Sequence, residues 1–96
     1  MASPIAQVPD EPGSLQVTVR YFAAARAAAG ADSETVTLRP DTTVAELVKS
    51  LAGHGECLAT VLSRCSYLRD GIAVRDETIT LRCGDTIDVL PPFAGG

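Results

Sequence analysis

The most informative segment of the sequence covers residues 84–96, Gly84-Asp85-Thr86-Ile87-Asp88-Val89-Leu90-Pro91-Pro92-Phe93-Ala94-Gly95-Gly96. Ile87 and Val89 alternate with other residues, which is typical of a β-strand that has one buried face. Pro91 and Pro92 cannot continue a sheet from its interior, because each lacks a backbone N–H and has a fixed φ. The pattern therefore predicts a strand over residues 86–90, followed by an extended exit from the fold.

The residues after the strand form a stem that becomes small towards its end. Residues 91–96 reach about 20 Å when fully extended, which is enough to enter another protein's active site. Gly95 and Gly96 have no side chains, and a Cβ at either position would obstruct a narrow tunnel and restrict the backbone torsions. We expect the rest of the chain to be a folded body that presents this tail to another protein.

The composition indicates one small globular domain. The 96 residues are 46% hydrophobic and 21% charged, and the net charge of −4 disfavours non-specific nucleic-acid binding while favouring a basic partner surface. No apolar run approaches the ~20 residues of a membrane span, and the N-terminus does not follow the pattern of a signal peptide, so we expect a cytoplasmic protein without membrane contact. Residues 1–14 contain three prolines, Pro4, Pro9 and Pro12, and are predicted to be a flexible leader.

The cysteines and the one histidine suggest no metal site. Cys57, Cys65 and Cys83 are an odd number without C-x-x-C spacing, so neither a disulfide framework nor a zinc site is expected. We interpret all three as small buried hydrophobic residues. His54 lies between two glycines, where an exposed loop position is expected.

The first part of the domain is predicted to be a hairpin with a short helix between its strands. Residues 15–22 alternate between apolar and polar, residues 23–29 are alanine apart from Arg26, and residues 34–38 alternate again. Alanine is the best helix former, and Gly30 suits the left-handed residue that ends a helix. A low-complexity linker is the alternative for the alanine segment.

The second part begins with the best-specified helix. Thr43 and Glu46 have the spacing of a capping box, the apolar stripe that follows has the i, i+3, i+4, i+7 spacing, and Gly53 ends the helix. Residues 56–64 are predicted to form a further helical segment, and Asp70-Gly71 between short apolar runs predicts a hairpin turn. Residues 78–81 are predicted to be a short extended piece, and a tight turn at Gly84 leads into the last strand.

This order of elements predicts an α+β fold of the β-grasp, or ubiquitin-like, type. A mixed sheet of about five strands would have a crossover helix on one face, and its last strand would lie beside the first. The predicted organisation is a leader over 1–14, a β-grasp domain over 15–90 and a free C-terminal tail over 91–96.

Two stretches resemble the MoaD family, the ubiquitin-like small subunits of molybdopterin synthase and their relatives. Residues 15–30 resemble the family's opening, with Tyr21-Phe22-Ala23 followed by an arginine-containing helix. Residues 81–96 resemble its closing signature, Leu81-x-x-Gly84-Asp85-x-Ile87-x-x-Leu90-Pro91-Pro92-Phe93-Ala94-Gly95-Gly96. The resemblance covers residues 15–96.

The resemblance implies a sulfur carrier in molybdenum cofactor biosynthesis. An E1-like adenylating enzyme would use ATP and Mg²⁺ to adenylate the C-terminal carboxylate of Gly96, and a sulfur donor protein would convert it to a thiocarboxylate. Gly95 accompanies it in the stem. The carrier would then dock on a MoaE-like large subunit to deliver sulfur to the pterin precursor, with two small subunits flanking a dimer of large ones. The chain itself is expected to bind no cofactor.

The residues around the exit are expected to contact the partner: Leu90, Pro91, Pro92, Phe93 and Ala94. Leu90 is predicted to lie on the face opposite Ile87 and Val89, where it has no obvious core partner; packing under the edge of the fold is the alternative.

Other functions remain open. The chain could carry sulfur for thiazole, cysteine or tRNA thiolation, or it could be a ubiquitin-like binding module with a passive tail. An independent enzyme is disfavoured, because the sequence contains no triad or dyad.

Overall fold

A computed structural model describes residues 14–92. The predicted tail residues 93–96, and the predicted leader apart from Ser14, lie outside the described residues. The described part contains, in chain order, β1 (Leu15–Tyr21), α1 (Ala23–Ala29), β2 (Ser33–Leu38), α2 (Val44–Ala52), α3 (Glu56–Leu62), β3 (Ser66–Arg69), β4 (Ile72–Ala73) and β5 (Thr86–Leu90).

The strands form one mixed sheet in the order β2-β1-β5-β3-β4. β1 and β2 are antiparallel, β1 and β5 are parallel, and β3 is antiparallel to both β5 and β4. The first and last strands therefore lie side by side at the centre of the sheet. This is the predicted β-grasp architecture, with five strands and three helices.

One face of the sheet carries the core. The alternating positions Val17, Val19 and Tyr21 of β1 are buried together with Ile87 and Val89 of β5. Buried residues from all three helices complete the same cluster, namely Ala25, Val44, Leu47, Leu51, Leu58 and Leu62. The intervening strand residues consequently lie on the opposite face, which we call the outer face. No helix among residues 14–92 packs on it.

The predicted capping box fixes the start of α2. The Glu46 amide donates to Thr43 Oγ1 at 3.1 Å, and the Thr43 amide donates to Glu46 Oε1 at 3.0 Å. Two amides that the first turn would leave unpaired are thus satisfied. Gly53 is the C-cap, as predicted.

The alanine segment is a helix and not a linker. Ala25 is its one fully buried residue, and Gly30 ends it in the left-handed conformation (φ 78°), its amide donating to the Arg26 carbonyl oxygen. Seven residues are too few for a stable isolated helix, so the packing of α1 on the sheet and on α3 holds it.

The predicted hairpin joins β3 to β4. Asp70 and Gly71 both have positive φ, 50° and 85°, as a two-residue type I′ turn requires. The Thr86 amide donates to Asp70 Oδ1 at 3.0 Å, which ties this turn to the start of β5. Gly84, with φ of 93°, forms the predicted turn before that strand.

The burial prediction for the cysteines is wrong for two of the three. Cys57 and Cys83 are exposed, and Cys65 is half-buried. Cys57 follows the first residue of α3, where Leu58 and Leu62 take the core positions, and Cys83 lies in the turn before β5. All three are free thiols, and His54 is exposed as predicted.

No helix within residues 14–92 has the length and apolar character needed to cross a membrane.

Candidate functional site

The end of β5 is the point where the chain leaves the fold. The Phe22 amide donates to the Val89 carbonyl oxygen at 3.2 Å, and Leu90 pairs with Ser66 of β3. Pro91 follows, half-buried, and then Pro92, exposed. Since neither proline has an N–H, the ladder stops here. The chain therefore leaves from the centre of the sheet, with a strand on either side of its exit.

The strand that carries this exit is firmly anchored. Ile87 and Val89 have no solvent exposure. Ile87 pairs with Val19 on the β1 side, and Val89 pairs with Tyr21 on that side and Tyr67 on the other. The core thus fixes the position and direction of the last residues of β5.

An apolar surface surrounds the exit on the outer face. Leu90 and Leu68 are half-buried there, and Phe22 is 38% exposed. The register places Leu68 opposite Asp88 and brings Phe22 beside the end of β5. We call Phe22, Leu68, Leu90, Pro91 and Pro92 the exit surface. Partly exposed apolar residues grouped in this way can form a protein contact.

One ion pair lies within this surface. Arg20 Nε donates to Asp88 Oδ1 at 2.6 Å, and Arg20 Nη2 donates to Asp88 Oδ2 at 2.9 Å. The guanidinium carbon lies 5.5 Å from the centroid of the Phe22 ring. The hydrogen bond to Asp88 and the charge of its carboxylate raise the pKa of Arg20 above its usual value.

The structure brings together three of the predicted site residues and adds others. Leu90, Pro91 and Pro92 adjoin at the exit, and Leu90 is outside the core cluster, as predicted. The predicted site residues Phe93, Ala94, Gly95 and Gly96 lie outside the described residues, so their roles stay predictions.

Three exposed or half-buried apolar residues were not predicted as contact residues from the sequence: Phe22, Leu68 and Ile72. Phe22 directly follows β1 and continues the phase of its polar residues, and an aromatic residue in that phase was the signal that could have identified it. Ile72, in the two-residue β4 beside the hairpin turn, is 73% exposed and is the second large exposed apolar residue.

A cleft of about 650 Å³ beside α1 is lined by Ala23, Arg26, Ala27, Gly30, Ala31 and Asp32. Its charged groups are already paired with each other, since Arg26 Nε lies 2.7 Å from Asp32 Oδ1. No group of His, Cys, Asp and Glu side chains within residues 14–92 could hold a metal ion.

Comparison with known proteins points to the same kind of molecule. The sequence profile of the ThiS family matches residues 19–96. The molybdopterin synthase sulfur carrier subunit of Homo sapiens is 30% identical over 83 residues, which cover 84% of this chain and 94% of the human protein.

Solved structures share the fold. The HVO 2177 protein of Haloferax volcanii matches with a TM-score of 0.80 at 28% identity, over the whole of both chains. SAMP1 from the same organism matches with a TM-score of 0.73 at 25% identity, over 84% of this chain and 99% of that one. In a complex of subunits 1 and 2 of the molybdopterin-converting factor from Helicobacter pylori, one chain matches with a TM-score of 0.62 at 23% identity, over 85% of this chain and all of that one.

The profile covers most of the described domain, from the end of β1 through the whole of β5, and the similar structures are MoaD-like, ubiquitin-like proteins. This chain therefore belongs to the ThiS family.

Proposed function

We propose that the chain is the sulfur-carrier subunit of a molybdopterin synthase, acting in the cytoplasm. One observation carries the proposal: the central strand β5 passes directly into Pro91-Pro92 beside an uncovered apolar surface. A rigid body that ends in this way suits the delivery of its last residues to another protein. The similarity to the human sulfur carrier subunit supports the same function.

The chemistry takes place at the carboxylate of Gly96. A terminal carboxyl has a pKa near 3.5, so at neutral pH it is ionised and attacks the α-phosphate of ATP, with pyrophosphate as the leaving group. The resulting acyl-adenylate is a mixed anhydride. Sulfide (HS−) released by the sulfur donor attacks its carbonyl carbon, the bond to AMP breaks, and the thiocarboxylate remains after loss of one proton. An E1-like enzyme supplies the ATP and Mg²⁺ site and a sulfur donor protein supplies the sulfur, so this chain needs no cofactor and no base.

The large subunit binds to the exit surface. In the Helicobacter pylori complex, a chain of this fold is bound to a second subunit of the molybdopterin-converting factor. Phe22 and Leu90 flank the exit, so a MoaE-like partner that covers them holds the stem directly at its own active site. The predicted contacts of Phe93 and Ala94 would extend this surface along the tail.

Intact-mass spectrometry tests the proposal. After incubation with the adenylating enzyme, ATP and a sulfur source, the full chain should gain the mass difference between sulfur and oxygen. The gain should be confined to the C-terminal peptide, and a chain without Gly96 should show none. The same incubation without ATP is the control. A wild-type chain that stays unmodified, or a chain without Gly96 that still supports sulfur transfer, would overturn the proposal.

A second candidate function is that of a protein modifier. The similarity to SAMP1, a small archaeal modifier protein, favours it. The activated carboxyl would then form an amide with an amine of a target protein and release AMP, without any thiocarboxylate. Mass spectrometry separates the two functions, because a modifier would appear as covalent conjugates of higher mass.

A sulfur carrier for thiazole synthesis, cysteine synthesis or tRNA thiolation would form the thiocarboxylate but would not bind a MoaE-like subunit. A passive binding module would keep its partner and its pathway function after truncation at Pro92.

A further inference from the structure

The Arg20–Asp88 ion pair lies in the middle of the exit surface. Arg20 and Asp88 are direct neighbours on the parallel strands β1 and β5, and Asp88 is opposite Leu68 on β3. Two residues further along their strands lie Phe22 and Leu90. The pair is thus surrounded by the apolar residues that a docking partner would cover.

The stability of the fold does not require the Arg20–Asp88 pair. Asp88 is only 6% exposed, although no described helix covers the outer face, and both of its carboxylate oxygens accept from Arg20. Arg20 neutralises the charge of the buried Asp88 carboxylate, because burying that carboxylate without a partner would raise the free energy of the fold. Replacing such a pair by apolar residues of similar size is often neutral or stabilising. A surface built only for apolar contact would therefore not need it.

The guanidinium of Arg20 is only partly used. An arginine side chain has five N–H donors. Asp88 occupies the edge formed by Nε and Nη2, and no hydrogen bond within residues 14–92 uses the edge formed by Nη1 and Nη2. The Arg20 side chain is 51% exposed, and Phe22 holds it from one side. The free edge has the fork geometry that binds a carboxylate through two parallel hydrogen bonds.

A partner that covers the exit surface removes water from this edge. Donors left without acceptors would then oppose binding, whereas a matching carboxylate would favour it. The chain as a whole carries a net charge of −4, so it repels acidic groups elsewhere. An acidic residue opposite Arg20 would therefore select one partner and one docking register.

We propose that Arg20 is a specificity-determining residue of the exit surface, and that its free guanidinium edge binds an aspartate or glutamate of the partner. Asp88 orients the guanidinium and does not touch the partner itself. The partner meant here is the large synthase subunit of the proposed function, on which this inference rests.

Titration calorimetry with the purified large subunit of the same organism tests the inference. The R20L/D88A double variant removes both charges together, so no unpaired carboxylate is left in the fold. It should bind about 10- to 100-fold more weakly than the wild-type chain, the range expected for hydrogen bonds to a charged group. R20K keeps the charge and the pair with Asp88 but loses the fork, and it should show a smaller loss.

The second Arg–Asp pair provides a matched control. Arg26 and Asp32 are 2.7 Å apart on the α1 side, with both side chains exposed, and the R26L/D32A variant should bind like the wild-type chain. Far-UV circular dichroism and a thermal melt check that each variant is folded. The wild-type affinity should fall as the salt concentration rises, and that of R20L/D88A should fall less.

The outcomes separate the two proposals. If the wild-type chain binds and a folded R20L/D88A variant binds equally well, Arg20 has no role in selecting the partner. If R26L/D32A weakens binding as much as R20L/D88A, the loss is not specific to the exit surface and the inference fails. If the wild-type chain does not bind the large subunit, the proposed function is wrong, and the inference falls with it.

Discussion

Two residues of β5 should separate stability from docking. Ile87 has no solvent exposure and points into the core, whereas Leu90, three residues later, is half-buried on the outer face and belongs to the exit surface. We expect Ile87→Ala to lower the free energy of unfolding and Leu90→Ala to lower the affinity for the partner. Each variant serves as the control for the other.

The size of the Ile87 effect follows from its burial. The substitution removes three carbon atoms, which at about 0.8 kcal/mol each gives about 2.4 kcal/mol of lost transfer free energy. The cavity that remains adds to this, so a loss of about 2–5 kcal/mol is expected. A domain of this size has a total stability of roughly 5–14 kcal/mol, so the loss is a large share of it. The melting temperature should fall by about 10–30 °C.

Leu90→Ala should have the opposite profile. Leu90 contributes no atoms to the core cluster, so its truncation should change the stability by less than about 1 kcal/mol. Its loss from the centre of a docking surface should weaken partner binding by about tenfold or more. Thermal and urea unfolding measure the first quantity and calorimetry the second. A Leu90→Ala variant as unstable as Ile87→Ala would refute the assignment of Leu90 to the outer face.

Three further measurements test other parts of the structure. Thr43→Ala removes the cap of α2 and should cost about 1 kcal/mol in thermal unfolding, while Thr43→Ser should cost much less; equal melting temperatures would contradict the capping box. Burial raises the pKa of Tyr21 and Tyr67, and the hydrogen bond to Glu34 raises that of Tyr21 further. Both tyrosines therefore contribute fully to the free energy of unfolding below pH 10. Above pH 10 this free energy should fall by about 1.4 kcal/mol per pH unit for each tyrosine. Tyr21→Phe should halve that slope, and an unchanged slope would contradict the buried position. Iodoacetamide should modify Cys57 rapidly in the folded protein but Cys65 slowly, because burial raises the pKa of Cys65; equal rates by peptide mapping would refute this difference.

Local patterns predicted most of the elements. The alternation in β1 and β2, the capping box at Thr43 and the left-handed turn at Asp70-Gly71 each depend on residues close in sequence. Their physical causes can therefore be recognised without a structure. The position of the last strand beside the first followed from the order of the elements, and it is confirmed; the structure shows that the two strands are parallel.

The exit surface was only partly predictable, because its members come from distant parts of the chain. The Arg20–Asp88 pair joins residues 68 positions apart, and it depends on the register between β1 and β5. The apolar character of cysteine led to a wrong prediction of burial for Cys57 and Cys83, since a small side chain is tolerated on a helix surface or in a turn. Burial at such positions is decided by neighbours that the local sequence does not reveal.

The central position of β5 has a consequence for how the protein is made. β5 is the last described element to be synthesised, yet it is the strand between β1 and β3. Until it emerges from the ribosome, β1 and β3 have no common neighbour, and the core lacks Ile87 and Val89. Pairing of strands so distant in sequence is also slow, because the intervening chain must first be ordered. A nascent or truncated chain that ends before β5 would thus lack Leu90, Pro91 and Pro92 of the exit surface. The folded core, and with it any surface that a partner recognises, is therefore complete only in chains whose translation has passed through the last strand.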